Sequence, residues 1–166
     1  DLVQYWTHRA YHEVPFLWRF HAVHHSAEYM DWMAGSRLHL FELLTTRVSI
    51  LGVLYVLGFN QATTDVYIVI VGFQAVFNHA NVRVPEAFAR APLKWLIVTP
   101  DFHHWHHSSE REAIDRNYAA HFAFIDYIFG TAVKSERRFP GKYGVLGDYM
   151  PPGFVRQQLF PFTWKG

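Results

Sequence analysis

The sequence predicts an all-α protein: a membrane-embedded helical bundle with a transmembrane helical hairpin and a cytosolic helical cap that carries histidine motifs. Three observations predict it. Two runs without charge occupy the middle of the chain, VSILGVLYVLGFNQATT between Arg47 and Asp65 and VYIVIVGFQAVFNHANV between Asp65 and Arg83. Histidines recur at helical spacing before and after these runs. The turn between the runs has no lysine or arginine, whereas Arg19, Arg37, Arg83, Arg90 and Lys94 lie on the other side of both.

The first element carries His8 and His12, an i, i+4 pair stacked on one helix face. The second carries His21, His24 and His25 as H-x-x-H-H, again on one face. On a single unbroken helix, at about 100° per residue, the pair and the trio would point in nearly opposite directions. A shared site therefore requires a break between them. Pro15 in HEVPF supplies it, because proline removes a backbone donor and clashes with the preceding turn.

The third and fourth elements form the hairpin, expected at about residues 42–81 with spans over 42–58 and 65–81 and a turn over 59–64. Each charge-free run is near the short limit for crossing a bilayer, which takes about 20 apolar residues. Two buried helices of a soluble protein are the alternative. Under the positive-inside rule, the arginine-bearing side is cytoplasmic. A hairpin returns the chain to the side it left, so the segments flanking it, both histidine-bearing, are brought to one face. The fifth element, PDFHHWHHSS, repeats H-x-x-H-H at His103, His106 and His107, and His104 falls about 100° from His103.

The composition narrows the chemistry. A length of 166 residues fits one domain, and the start at Asp1 is expected to reflect an excised piece of a longer chain. A net charge of +1, with no basic run carrying interleaved aromatics, gives no argument for nucleic acid. The chain has no cysteine, which removes disulfides, thiolate metal sites and thiol nucleophiles together. Its 12 histidines are the anomaly. Neutral imidazole suits Fe, Zn, Cu and Ni, and eight histidines in three ligand-spaced clusters exceed the four places around one zinc, so two ions are expected. The H-E-x-x-H zinc signature is absent, since His12-Glu13 runs into Val14-Pro15-Phe16.

With those motifs in hand, the chain resembles the fatty acid hydroxylase and sterol desaturase superfamily. The resemblance rests on HRAYHEVPFLWRFHAVHHSAEYMDW, SRLHLFE, FNHANVRVP, TPDFHHWHHSS and DRNYAAHFAFIDYIFGT, in that order along residues 1 to 132. It implies a membrane-embedded enzyme with a histidine-ligated di-iron centre that uses O2 and an electron donor on lipid chains or sterols. It also implies further membrane helices before the first motif. His8, His12, His21, His24, His25, His103, His106 and His107 occupy the motif positions as metal ligands. His79 in FNHANV is similar to the family's extra histidine at a helix end. His39 in SRLHLFE is a possible additional ligand, or a polar residue anchoring an interface. Asp101, Glu13 and Asp126 are expected to accept the free ring N–H of ligating histidines, or else to be ordinary surface carboxylates or helix caps.

Residues 1–133 are thus expected to form the catalytic domain, with 134–166 a Gly/Pro-containing cytosolic tail. The expected reaction is hydroxylation or desaturation of a lipid C–H bond, fatty acyl or sterol. The expected cofactors are two Fe ions, with zinc possible in purified material, and O2 is the co-substrate. No G-x-G-x-x-G is present, so electrons are expected from an external reductase, cytochrome b5 or ferredoxin type of donor. The alternatives are a di-zinc hydrolase and a non-catalytic membrane metal-binding protein.

Overall fold

A computed structural model describes residues 1–133, 139–147 and 150–164. Helices α1 (Leu2–Glu13) and α2 (Pro15–His25) are consecutive and separated by Val14 alone, whose φ of −100° and ψ of 112° are extended. The break falls where Pro15 requires it, with proline at the start of the new helix, the one place its missing N–H costs nothing. The two helices then fold back on each other and pack.

Helices α3 (Leu40–Val56) and α4 (Gln61–His79) follow the two charge-free runs. The reversal is shorter than the expected 59–64. Asn60 caps α4, its side chain accepting from Thr63 N at 2.9 Å, so Gln61 to Thr64 belong to the first helical turn. Among the described residues, no helix is long and apolar enough to cross a membrane. The 17 residues of α3 and 19 of α4 correspond to about 26 and 28 Å at 1.5 Å per residue. The hairpin of helices is present, and whether it lies in a bilayer is taken up below.

The remaining elements are short. They comprise α5 (Leu93–Leu96), α6 (Pro100–His106), α7 (Phe124–Ile128) and α8 (Phe154–Thr163), with no named strand among the described residues. Helix α3 leans on α1, where the Tyr11 hydroxyl donates to Glu42 O at 3.2 Å and pairs with Thr46 Oγ1 at 3.0 Å. Helix α4 leans on α6, and its Gln74 Nε2 and Asn78 Nδ2 donate to Val98 O before that helix and Ala120 O after it, each at 2.8 Å. A small core of Tyr5, Val98, Tyr118, Ala119, Ala123 and Ile125 sits beside these contacts. Of the tail expected over 134–166, residues 134–138, 148–149 and 165–166 lie outside the described residues. Its helix α8 packs on α2, and Gln158 ties it to the start of α3 through Leu40 N and Leu38 O.

This arrangement gathers α1, α2 and α6 at one end of the hairpin, the end formed by the start of α3 and the finish of α4. Both flanking histidine segments therefore meet there.

Candidate metal centre

Nine histidines converge in two adjoining nests. His8, His12, His21, His25 and His106 form the first, and His24, His79, His103 and His107 the second; within each, one ring nitrogen per residue lies within 4.8 Å of all the others. Helical periodicity explains the division. His21 and His25 are one turn apart and face the first nest, while His24, about 80° away from the line between them, faces the second. In the same way α6 gives His103 and His107 to the second nest and His106 to the first.

The nitrogens that face one another are the Nε2 atoms. In the first nest His8 stands 3.2 Å from His21, His12 3.1 Å from His25, and His25 3.1 Å from His21. In the second, His79 stands 3.3 Å from His24, 3.1 Å from His107 and 3.2 Å from His103. Nitrogens bound about 2.1 Å from one ion stand roughly 3.0–3.4 Å apart, so these spacings are those of ligands sharing a metal.

The other ring nitrogen decides the tautomer. His8 Nδ1 donates to Tyr118 O at 2.7 Å, His106 Nδ1 to Arg116 O at 2.8 Å, and His21 Nδ1 to Glu42 Oε1 at 2.8 Å. His24 Nδ1 donates to Arg37 O at 3.1 Å and His79 Nδ1 to Ala75 O at 2.7 Å. A histidine whose proton sits on Nδ1 presents a bare lone pair at Nε2. The pair His24/His79, whose Nδ1 partners are both carbonyls, therefore aims lone pair at lone pair, which no hydrogen bond satisfies and a cation between them does. Burial also holds His8 down to about 4 and keeps His12, His21, His24, His25, His103, His106 and His107 well below the usual imidazole range. The rings are neutral at physiological pH, as metal ligation needs.

One short segment orients three of the five rings in the first nest. It supplies the Asp115 carboxylate, 3.3 Å from His12 Nδ1, the Arg116 carbonyl for His106 and the Tyr118 carbonyl for His8. Its backbone is strained to do so, with φ of 56° at Asp115 and 55° at Asn117. Asn117 is held by Phe102 O and Val133 N, and the buried Asp126 carboxylate accepts from Tyr118 N and Ala119 N at 2.8 Å each and from Thr131 Oγ1 at 2.6 Å.

The carboxylates expected to touch the ligands are not the ones that do. Glu13 pairs with Arg9 at 2.7 Å on the surface. Asp126 holds the Tyr118 loop and reaches His8 only through it. Asp101 lies in the first turn of α6, yet His103 Nδ1 has no hydrogen-bond partner among the described residues, so Asp101 does not orient that ring. Glu42 takes that role for His21. A lone buried acid in the otherwise apolar HLFELLTT was the available signal. His39 is not brought to either nest: Phe41 N donates to its Nδ1, and its Nε2 donates to Gln158 O at 2.9 Å, making it the cap of α3 and the anchor of α8. His104 points away, bonded to the Tyr143 hydroxyl at 2.9 Å and stacked on Phe139.

Two cavities reach the nests from different sides. One of about 160 Å³ lies among α1, α3 and α4, lined by the apolar Leu43, Ile50, Val71 and Ala75 beside the polar Gln4, Glu42, Arg47 and Asn78, and touches His8 and His21 of the first nest and His24, His79 and His103 of the second. The other, about 260 Å³, reaches only the first nest, past Trp18, Ser108 and Asp115.

Fold and site together define a helical protein built around two nests of facing imidazoles with metal-ligand geometry. The fatty acid hydroxylase family profile matches residues 1–131, and the chain belongs to that family. It is 31% identical to an ornithine lipid hydroxylase of Rhizobium tropici over 98% of this chain and 47% of that protein. It is 27% identical to the alkylglycerol monooxygenase of Danio rerio over 99% of this chain and 36% of that one. It is also 31% identical to a very-long-chain aldehyde decarbonylase of Oryza sativa subsp. indica, over 81% of this chain and 22% of that protein. The chain thus spans less than half the length of these relatives. No solved structure matches it.

Proposed function

We propose that this chain is the catalytic portion of a lipid oxygenase whose nine clustered histidines hold two iron ions. The observation that carries the reading is the mostly apolar cavity among α1, α3 and α4 that ends on histidines of both nests. An acyl or alkyl chain lying in it would present its C–H bonds to both ions while the nests stay buried. The relatives support the same chemistry, since the first two are named as a hydroxylase of ornithine lipids and a monooxygenase of alkylglycerols.

Five ring nitrogens in the first nest exceed the tetrahedral set of structural zinc, which favours a metal of higher coordination number. When bound, the iron pair would supply O2 activation with two electrons from an external donor. The chain's own contribution is to hold the imidazoles neutral with Nε2 inward, to align the lipid, and to exclude water. Lipids extracted from cells expressing the full-length protein under ¹⁸O2 should carry a new hydroxyl or double bond, with label in any hydroxyl. A product whose oxygen comes from water would identify a hydrolase instead.

The hairpin is proposed to lie in the bilayer with the nests on the cytoplasmic side. Large apolar side chains stand exposed along both helices, among them Tyr55 at 85%, Val56 at 82% and Phe73 at 74%. Exposed apolar area of this extent calls for a non-aqueous neighbour. Protease tags placed in the 57–60 reversal should be protected in intact cells opened on the cytoplasmic side, while tags after Gly130 are cut. Equal cleavage of both would place the hairpin outside the membrane.

A further inference from the structure

The two nests differ in what stands behind their rings. In the first, carboxylates back two of five histidines: Glu42 accepts from His21 Nδ1 at 2.8 Å and Asp115 faces His12 Nδ1 at 3.3 Å. Carbonyls of Arg116 and Tyr118 fix two more. In the second, His24 and His79 donate to neutral backbone carbonyls, while the Nδ1 atoms of His103 and His107 have no partner among the described residues. No carboxylate stands behind a second-nest ring among the described residues.

That difference has a chemical consequence. A carboxylate accepting the Nδ1 proton pushes electron density into the ring and raises the basicity of Nε2, and it fixes the ring's direction as well. Glu42 is buried at 5% exposure and its second oxygen has no partner among the described residues, so its carboxyl group is committed to His21. Asp115 is half exposed and contributes less. The first nest further offers five nitrogens against four.

Resting on the metal reading above, we propose that the two metal sites are unequal. The first nest takes its ion first and holds it more tightly, with Glu42 as the positioning residue that sets the difference. The second nest carries the exchangeable ion.

The test uses the full-length protein in detergent, stripped of metal and titrated with Zn²⁺ against a competing chelator. Two separate binding steps are expected. Glu42→Gln keeps the volume but replaces the carboxylate by a neutral amide, and should weaken the tighter step by about 10–100-fold with the weaker step unmoved. Asp115→Asn should act in the same direction and less. His79→Gln should delete the weaker step alone. A loss of folding would shift both steps together, so selective loss of one separates positioning from scaffold damage, and helical circular dichroism of each variant checks this directly. Equal weakening of both steps by Glu42→Gln at unchanged helical circular dichroism, an unchanged tight step, or loss of the tight step in His79→Gln would overturn the inequality. Binding of fewer than two equivalents by the unmodified protein would instead overturn the metal reading.

Discussion

Replacing His106 by alanine is expected to abolish the proposed oxygenation and to leave one metal ion per chain in place of the proposed two. Its Nε2 faces the first nest without any hydrogen-bond partner among the described residues, so the atom serves no structural bond that the fold would miss. The substitution does strand the Arg116 carbonyl, which accepts from His106 Nδ1 at 2.8 Å. Even a fully buried unpaired acceptor costs about 1–3 kcal/mol, less than the 5–15 kcal/mol that typically separates folded from unfolded chains, and Arg116 is exposed. The variant should fold and fail. His24→Ala should do the same from the second nest. His104→Gln is the control: that ring bonds Tyr143 and stacks on Phe139 rather than entering either nest, and both ions should remain. Elemental analysis of the purified variants checks all three. Retention of two ions and turnover by His106→Ala would remove His106 from the ligand set.

The second large effect is expected from a residue with no side chain. Gly35 lies in the turn between α2 and α3, and a Cβ built on it would stand 2.8 Å from His79 Nδ1 and 3.2 Å from Cγ of the same ring. Real Cβ atoms do not tolerate the shorter approach, so one partner must move. The His79 ring has little freedom to do so, because Nδ1 is held by Ala75 O at 2.7 Å and Nε2 lies among His24, His103 and His107. Gly35→Ala should therefore tilt the ring out of line and weaken the second-nest ion by at least about tenfold, the scale on which loss of ligand orientation acts. The first-nest ion should stay. Metal content after dialysis against a weak chelator reads the difference, and two retained ions would show that the turn yields instead of the ring.

The second nest thus depends on the close approach of the Gly35 turn, whereas the first is backed by a strained loop. The conformations at Asp115 and Asn117 persist because Asp126, Thr131 and Phe102 over-determine the segment. Asp126 matters here as a fastener of backbone, two bonds removed from any ligand. It carries this weight because it is fully buried and accepts from three donors at once.

The helical class, the break at Pro15 and the eight motif histidines were legible in the chain because each is local, whereas His79 was named only through the family resemblance. Ligand pairs at i, i+3 and i+4 follow from the helical period alone, and proline breaks a helix by its own covalent geometry. The meeting of the two histidine segments followed from the hairpin's return. Partner choice was not local. Glu42 lies 21 residues from His21, Asp115 103 residues from His12, and the Tyr118 carbonyl 110 residues from His8. Asp101, Glu13 and Asp126 were plausible by nearness or by type, yet a carboxylate serves the ring it faces in space. The sequence by itself determined which side chains could bind metal and that they sit on helix faces. Only the tertiary structure decided how they divide into five and four, which nitrogen of each ring points inward, and what backs it. Those depend on hydrogen bonds between segments that only packing brings within about 3 Å of one another.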